Sequence, residues 1–134
     1  MKLIINNQQS FEEISNSFTK AFPFLKLEFF SKKHLSGEAS SNQFLIPKEL
    51  TLADCRTVYS TDEIIITPDM KVSELEELFS AGYGLGLQVF RKSGRVWLET
   101  TATDSWTLAE QNTEGEFLSK KADPDEPVYY QDAD

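Results

Sequence analysis

The chain has 134 residues, of which 40% are hydrophobic and 26% charged. That length leaves room for one core, and the composition is that of a folded domain rather than a disordered chain. The net charge of -9, from 22 acidic and 13 basic residues, disfavours nucleic acid as a partner unless a basic face is segregated. No stretch approaches the roughly 18 apolar residues that span a bilayer, so no membrane partner is expected. The apolar run near Met1 is too short for a signal peptide. A lone cysteine, Cys55, makes no internal disulfide and suits a reducing compartment. The expected location is the cytoplasm.

In chain order, the first elements belong to a repeated pattern. Lys2 to Lys33 and Glu63 to Ser93 each read as an apolar run, an amphipathic stretch and an alternating strand. Leu3, Ile4 and Ile5 align with Ile64, Ile65 and Ile66. Phe11, Ile14 and Phe18 align with Val72, Leu75 and Phe79, a spacing that sets each trio on one helical face. Leu25, Leu27 and Phe29 align with Leu85, Leu87 and Val89, with the period-2 alternation of a half-buried strand. Ser10 and Glu13 form a capping box that starts the first helix, and Pro23 ends it by Phe22. The repeat puts the second helix cap at Lys71, whereas Ser73 and Glu76 offer a better box two residues later. Gly82 and Gly84 stop that helix.

The segment between the halves, Ser31 to Asp62, is too long for a bare connection. Glu49 to Tyr59 carries enough apolar residues to be ordered, while Ser36 to Gln43 reads as mobile. After the second unit, Lys92 to Arg95 predicts a hairpin turn with Gly94 at a positive φ, and a strand returns from Arg95 to Thr101. Thr107 and Glu110 form a third capping box for a short helix from Leu108 to Asn112. Order is expected to fade beyond it. The domain then closes near residue 118, and 119–134 forms an acidic tail. Its part from Ala122 on has Asp123, Asp125, Glu126, Asp132 and Asp134 with no Lys or Arg. It reads as a solvated, disordered segment, the alternative being an interaction tail centred on Val128, Tyr129 and Tyr130.

The expected class is α+β. Two consecutive strand-helix-strand units can form one ferredoxin-like four-stranded antiparallel sheet with both helices on one face, plus an extra C-terminal hairpin strand. The alternative is a β-grasp-like fold cored by Glu63 to Thr101. Further residues carry a resemblance. Leu52 to Arg56, Val72 to Glu76, Gly84 to Gly94, Trp97 to Thr101 and Thr103 to Leu108 with Gln111-Asn112 resemble a family of small bacterial domains of unknown function, over residues 50–115. The resemblance implies no activity, substrate or cofactor.

The candidate sites follow from residue type. One histidine, His34, and one cysteine do not make a zinc site, and no EF-hand loop is present. Cys55 with His34 and Asp54 has the residue types of an activated thiolate, but the spacing matches no known signature and packing explains Cys55. The glycines at 82, 84 and 86 follow a helix, whereas phosphate loops precede one. The better candidate binding surface gathers Arg91, Lys92, Arg95 and Trp97 on the hairpin with Glu99 and Thr101, then Asp104 and Trp106 in the following loop with Thr103 and Ser105. Arginine and tryptophan dominate binding hot spots.

The leading functional expectation is a non-catalytic protein-interaction or regulatory module with a protein partner, a second copy of the chain included, and no cofactor. The alternatives use the same 91–106 surface. One is a small-ligand or enzymatic domain in which Arg91 or Arg95 holds an anion and Glu99 or Asp104 acts as acid or base. The other is single-stranded nucleic-acid binding through Trp97, Phe90 and the nearby cations.

Overall fold

The structure, a computed structural model, describes residues 2–31 and 44–121. His34, the 36–43 stretch and the tail from residue 122 lie outside the described residues. The chain builds β1 (Leu3–Ile5), α1 (Phe11–Ala21), β2 (Leu25–Phe30), α2 (Leu52–Cys55), β3 (Ile64–Ile66), α3 (Val72–Tyr83), β4 (Gly86–Ser93), β5 (Val96–Glu99) and α4 (Leu108–Lys121).

This is a mixed α+β architecture, but the four repeat strands are divided between two antiparallel sheets rather than joined in one. β1 pairs only with β3, and β2, β4 and β5 form a three-stranded sheet in that order. Instead of returning the chain to the same sheet, α1 and α3 each carry it from the short ribbon to the larger sheet. Apolar periodicity shows that a strand has a buried face, but it carries no information on which strand lies beside it.

The register exposes an internal two-fold relation. Ile4 lies opposite Ile65 and Glu28 opposite Gln88, so at the centre of each pairing a residue meets its own repeat mate. The relation extends into main-chain bonds. Phe11 and Glu12 donate to the carbonyls of Leu50 and Lys48, both at 3.0 Å, while Val72 and Ser73 donate to those of Trp106 at 3.0 Å and Asp104 at 2.8 Å. Leu52 and Ala53 donate to Gln9 and Asn7, as Leu108 and Ala109 donate to Met70 and Pro68. Ser10 bridges Thr51 just as Lys71 bridges Thr107. Each half therefore continues past its second strand into a further capped helix, α2 in one half and α4 in the other.

Local chemistry sets the helix ends. In α1 the Ser10 hydroxyl accepts from Glu13 N at 3.1 Å and the Glu13 carboxylate accepts from Ser10 N at 3.0 Å. The same reciprocal box joins Thr51 to Asp54 and Thr107 to Glu110, and holds both carboxyls below the usual carboxylate range. α3 starts where the repeat places it, with Glu74 accepting from Lys71 N at 3.0 Å. It ends at Gly84, whose φ of 72° lies in the left-handed region that glycine enters without a Cβ penalty. Gly94, at φ 64°, turns the β4 to β5 hairpin.

The core draws on both halves. Phe11, Ile14 and Phe18 of α1 and Val72, Leu75 and Phe79 of α3 are all buried, together with Leu25, Leu27, Phe29, Leu85, Leu87 and Val89. Rings run through it in series: Phe11 lies 4.9 Å from Phe29, which lies 5.4 Å from Phe79, which meets Tyr83 edge-on at 5.1 Å.

The last helix differs from expectation. α4 continues past Asn112 to Lys121, running through Gly115, where it packs closely against β2 and β4. Propensity reads a mid-helix glycine as a break, but here it permits close approach. A Cβ at Gly115 would stand 2.8 Å from Phe24 Cβ and 3.2 Å from the Lys92 carbonyl oxygen. Gly115→Ala should accordingly destabilise the fold by up to about 2 kcal/mol, an overpacking cost of about 1–3 kcal/mol less the roughly 0.5–1 kcal/mol that alanine gains in an open helix. A higher urea midpoint for this variant would show that α4 is not seated against β2 and β4.

Candidate functional site

Strand register decides where the predicted surface residues go. β4 lies between β2 and β5, with Arg91 opposite Leu25 on one side and Leu98 on the other. These three share the core-facing side with Leu27 and Val89. Arg91 is fully buried. Its Nη1 donates to Gln111 Oε1 at 3.0 Å, and the Gln111 amide donates to the Thr103 carbonyl and hydroxyl oxygens, both at 2.8 Å. Trp106, half-buried, lies with its ring 5.6 Å from the Arg91 guanidinium. Arg91 and Thr103 thus form a buried structural group beneath α4, which the half-buried Trp106 borders.

The opposite face of the same sheet is different. Lys92 lies directly across from Trp97, and Phe90 sits between Lys26 on β2 and Glu99 on β5. All five are half-buried. The Lys26 ammonium stands 5.0 Å from the Phe90 ring and 5.2 Å from the Trp97 ring, and that of Lys92 is 5.9 Å from Trp97. An aromatic ring attracts a cation over its face, so the two lysines and the two rings hold each other in place. Arg95 is exposed at the adjoining turn, while Thr101 and the Asp104 side chain are half-buried in the segment after β5. The Asp104 carbonyl caps Ser73 N. Of the predicted surface, Lys92, Trp97 and Glu99 therefore come together on the outer face, Arg95 borders it, and Arg91 and Trp106 lie on the other side. Lys26 belongs to the cluster and was not singled out by the sequence. The turn expected at Lys92 to Arg95 would set Phe90 across from Trp97, whereas Ser93 pairs with Val96 and brings Lys92 there instead, and nothing local showed that β2 would lie beside β4.

Trp97 and Lys26 also line a groove of about 390 Å³ along β2. Its lining includes apolar side chains of Phe11, Leu27, Phe29, Leu45 and Ile46 and the charged Glu12, Glu28 and Lys48. The groove does not offer the whole strand edge. Ser15 donates its hydroxyl to the Leu27 carbonyl at 3.4 Å and Thr19 to that of Leu25 at 3.0 Å, and the Phe29 carbonyl accepts from Ile46 N at 2.8 Å. With these acceptors occupied, side-chain insertion is better provided for than the addition of a further strand.

Elsewhere the chemistry is structural. Burial, and then the neighbouring Asp54 charge, push the Cys55 thiol up from its ordinary value, the reverse of what an activated nucleophile requires. Arg56 points away to the main chain of Val58, Thr61 and Gly82. Cys55 should thus alkylate more slowly at neutral pH than a free cysteine, accelerating only above the ordinary thiol range of about 8.5. Rapid labelling at pH 7 would restore it as a nucleophile. Among the described residues no group of three or more His, Cys, Asp or Glu side chains is placed to hold a metal ion, and no helix is long and apolar enough to cross a membrane.

No family model matches the chain, and no curated protein or solved structure is significantly similar to it.

Proposed function

We propose that the chain is a non-catalytic protein-interaction module whose contact surface is the outer face of the three-stranded sheet, centred on Trp97. The observation that carries this reading is the cluster of Lys26, Phe90, Lys92 and Trp97, which lies outside the core and shares Lys26 and Trp97 with the lining of a largely apolar groove. Tryptophan combines large contact area with a polar handle, and it dominates binding hot spots for that reason. The acid and base candidates support catalysis less well, since Arg91 and Glu99 lie on opposite faces of the sheet.

Trp97→Ala separates a contact surface from a structural one. Two partly exposed cation–π contacts amount to about 1–2 kcal/mol at roughly 0.5–1 kcal/mol each. The variant should therefore unfold cooperatively at a modestly lower urea concentration, with self-association and capture of protein partners lost. A variant that keeps the same mass in light scattering and the same captured proteins would contradict the proposal. A second reading, small-molecule binding, is favoured by the groove, whose volume of about 390 Å³ lies in the range of roughly 300–1,000 Å³ typical of ligand sites.

A further inference from the structure

We propose that the chain's own acidic segment, residues 122–134, docks on the outer face beside Trp97 and competes there with partners. This rests on the reading of that face as a contact surface.

Three observations favour this occupant. The first is place. α4 runs beneath the sheet to the hairpin turn, where Gly94 N donates to Ser119 Oγ at 3.2 Å. Its last residue, Lys121, is two positions further on, so the chain leaves the described structure next to the end of the sheet that carries Lys92, Arg95 and Trp97. The second is reach. Thirteen residues follow Lys121 and extend to roughly 40 Å at about 3.3 Å per residue, ample to round the turn and lie along the face.

The third is complementary chemistry. The segment has Asp123, Asp125, Glu126, Asp132 and Asp134 around Val128, Tyr129 and Tyr130, with no Lys or Arg. In a chain with 22 acidic and 13 basic residues, the turn end of the outer face gathers Lys26, Lys92 and Arg95 about two aromatic rings, against Glu28 and Glu99 on the same face. Anions pair with those cations, and tyrosine rings stack on Trp97 and Phe90. Each exposed pair is weak and screened by salt. Attachment compensates, because a short covalent connection sets an effective concentration of about millimolar. A contact of only millimolar affinity is then about half formed, a level that a protein partner of ordinary affinity displaces.

The test places a nitroxide on the full-length chain at position 133 (Ala133→Cys with Cys55→Ser) and follows the two tryptophan indole N–H signals by NMR, Trp97 being assigned from Trp97→Phe. The Trp97 signal should lose at least half its intensity against the reduced nitroxide. Intensity should return in 1 M salt, and also when Asp123, Asp125, Glu126, Asp132 and Asp134 are replaced by their amides. No loss at Trp97, or a loss that survives neutralisation of the five acids, overturns the proposal. Broadening seen only between separately labelled chains also overturns it and names a second copy as the occupant. If the tail leaves Trp97 untouched while Trp97→Ala still abolishes partner binding, the tail proposal fails and the contact-surface reading stands.

Discussion

Arg56→Ala is expected to cost the fold about 3–5 kcal/mol, a size reserved for the loss of a buried polar network. Arg56 is almost fully buried. Its guanidinium donates to the carbonyls of Val58 at 3.0 Å, Gly82 at 3.2 Å and Thr61, and to Asn7 Oδ1 at 2.6 Å. It also stacks against Tyr59 and Tyr83, each ring 4.6 Å away. These contacts tie the start of β3, the end of α3 and the loop after β1 to one side chain. Alanine would leave four acceptors without their donor, each costing about 1–3 kcal/mol where water does not replace it. Lysine should not restore the loss, because one ammonium does not reproduce the planar fork. Urea denaturation checks both variants, and a cost below about 1 kcal/mol for Arg56→Ala would show that solvent already satisfies those carbonyls.

Phe79→Ala should be comparably damaging, at about 3–5 kcal/mol for removal of a buried ring and the cavity left behind. Phe79 is completely buried between Phe29 and Tyr83, at the point where α3 crosses the larger sheet. Its repeat mate Phe18 is equally buried and packs 5.1 Å from Phe22, so Phe18→Ala should lose a similar amount. Large losses at both positions would mean that the halves share one core. If Phe18→Ala costs little while Phe79→Ala unfolds the protein, the first half contributes only a covering layer.

Much of this organisation was legible in the sequence. The three-residue apolar runs, the i, i+3, i+7 helix faces and the capping boxes at Ser10 and Thr107 depend on spacing within a few residues, which the chain displays directly. Arg91 was legible too, since it lies in phase with Leu85, Leu87 and Val89 and belongs by alternation on the core side. Its charge suggested a surface role instead. What spacing did not contain is strand partnership. The division of β1 and β3 from β2 and β4, the approach of Lys26 to Trp97 and the groove along β2 all depend on contacts between residues far apart in the chain. The length of α4 was hidden for a related reason, because Gly115 is favourable only where Phe24 and Lys92 close in on it.

The central claim, that the face around Trp97 is a protein contact surface, is tested most directly by a photo-crosslinking residue placed at Arg95, exposed at the turn beside Trp97, in the full-length chain in living cells. A second chain carries it at Glu116, exposed on α4. A discrete crosslinked product of raised mass is expected from position 95 and not from position 116, stronger when the five tail acids are neutralised and lost when Trp97→Ala is added. No such product from position 95, with the tail intact or neutralised, would contradict the claim.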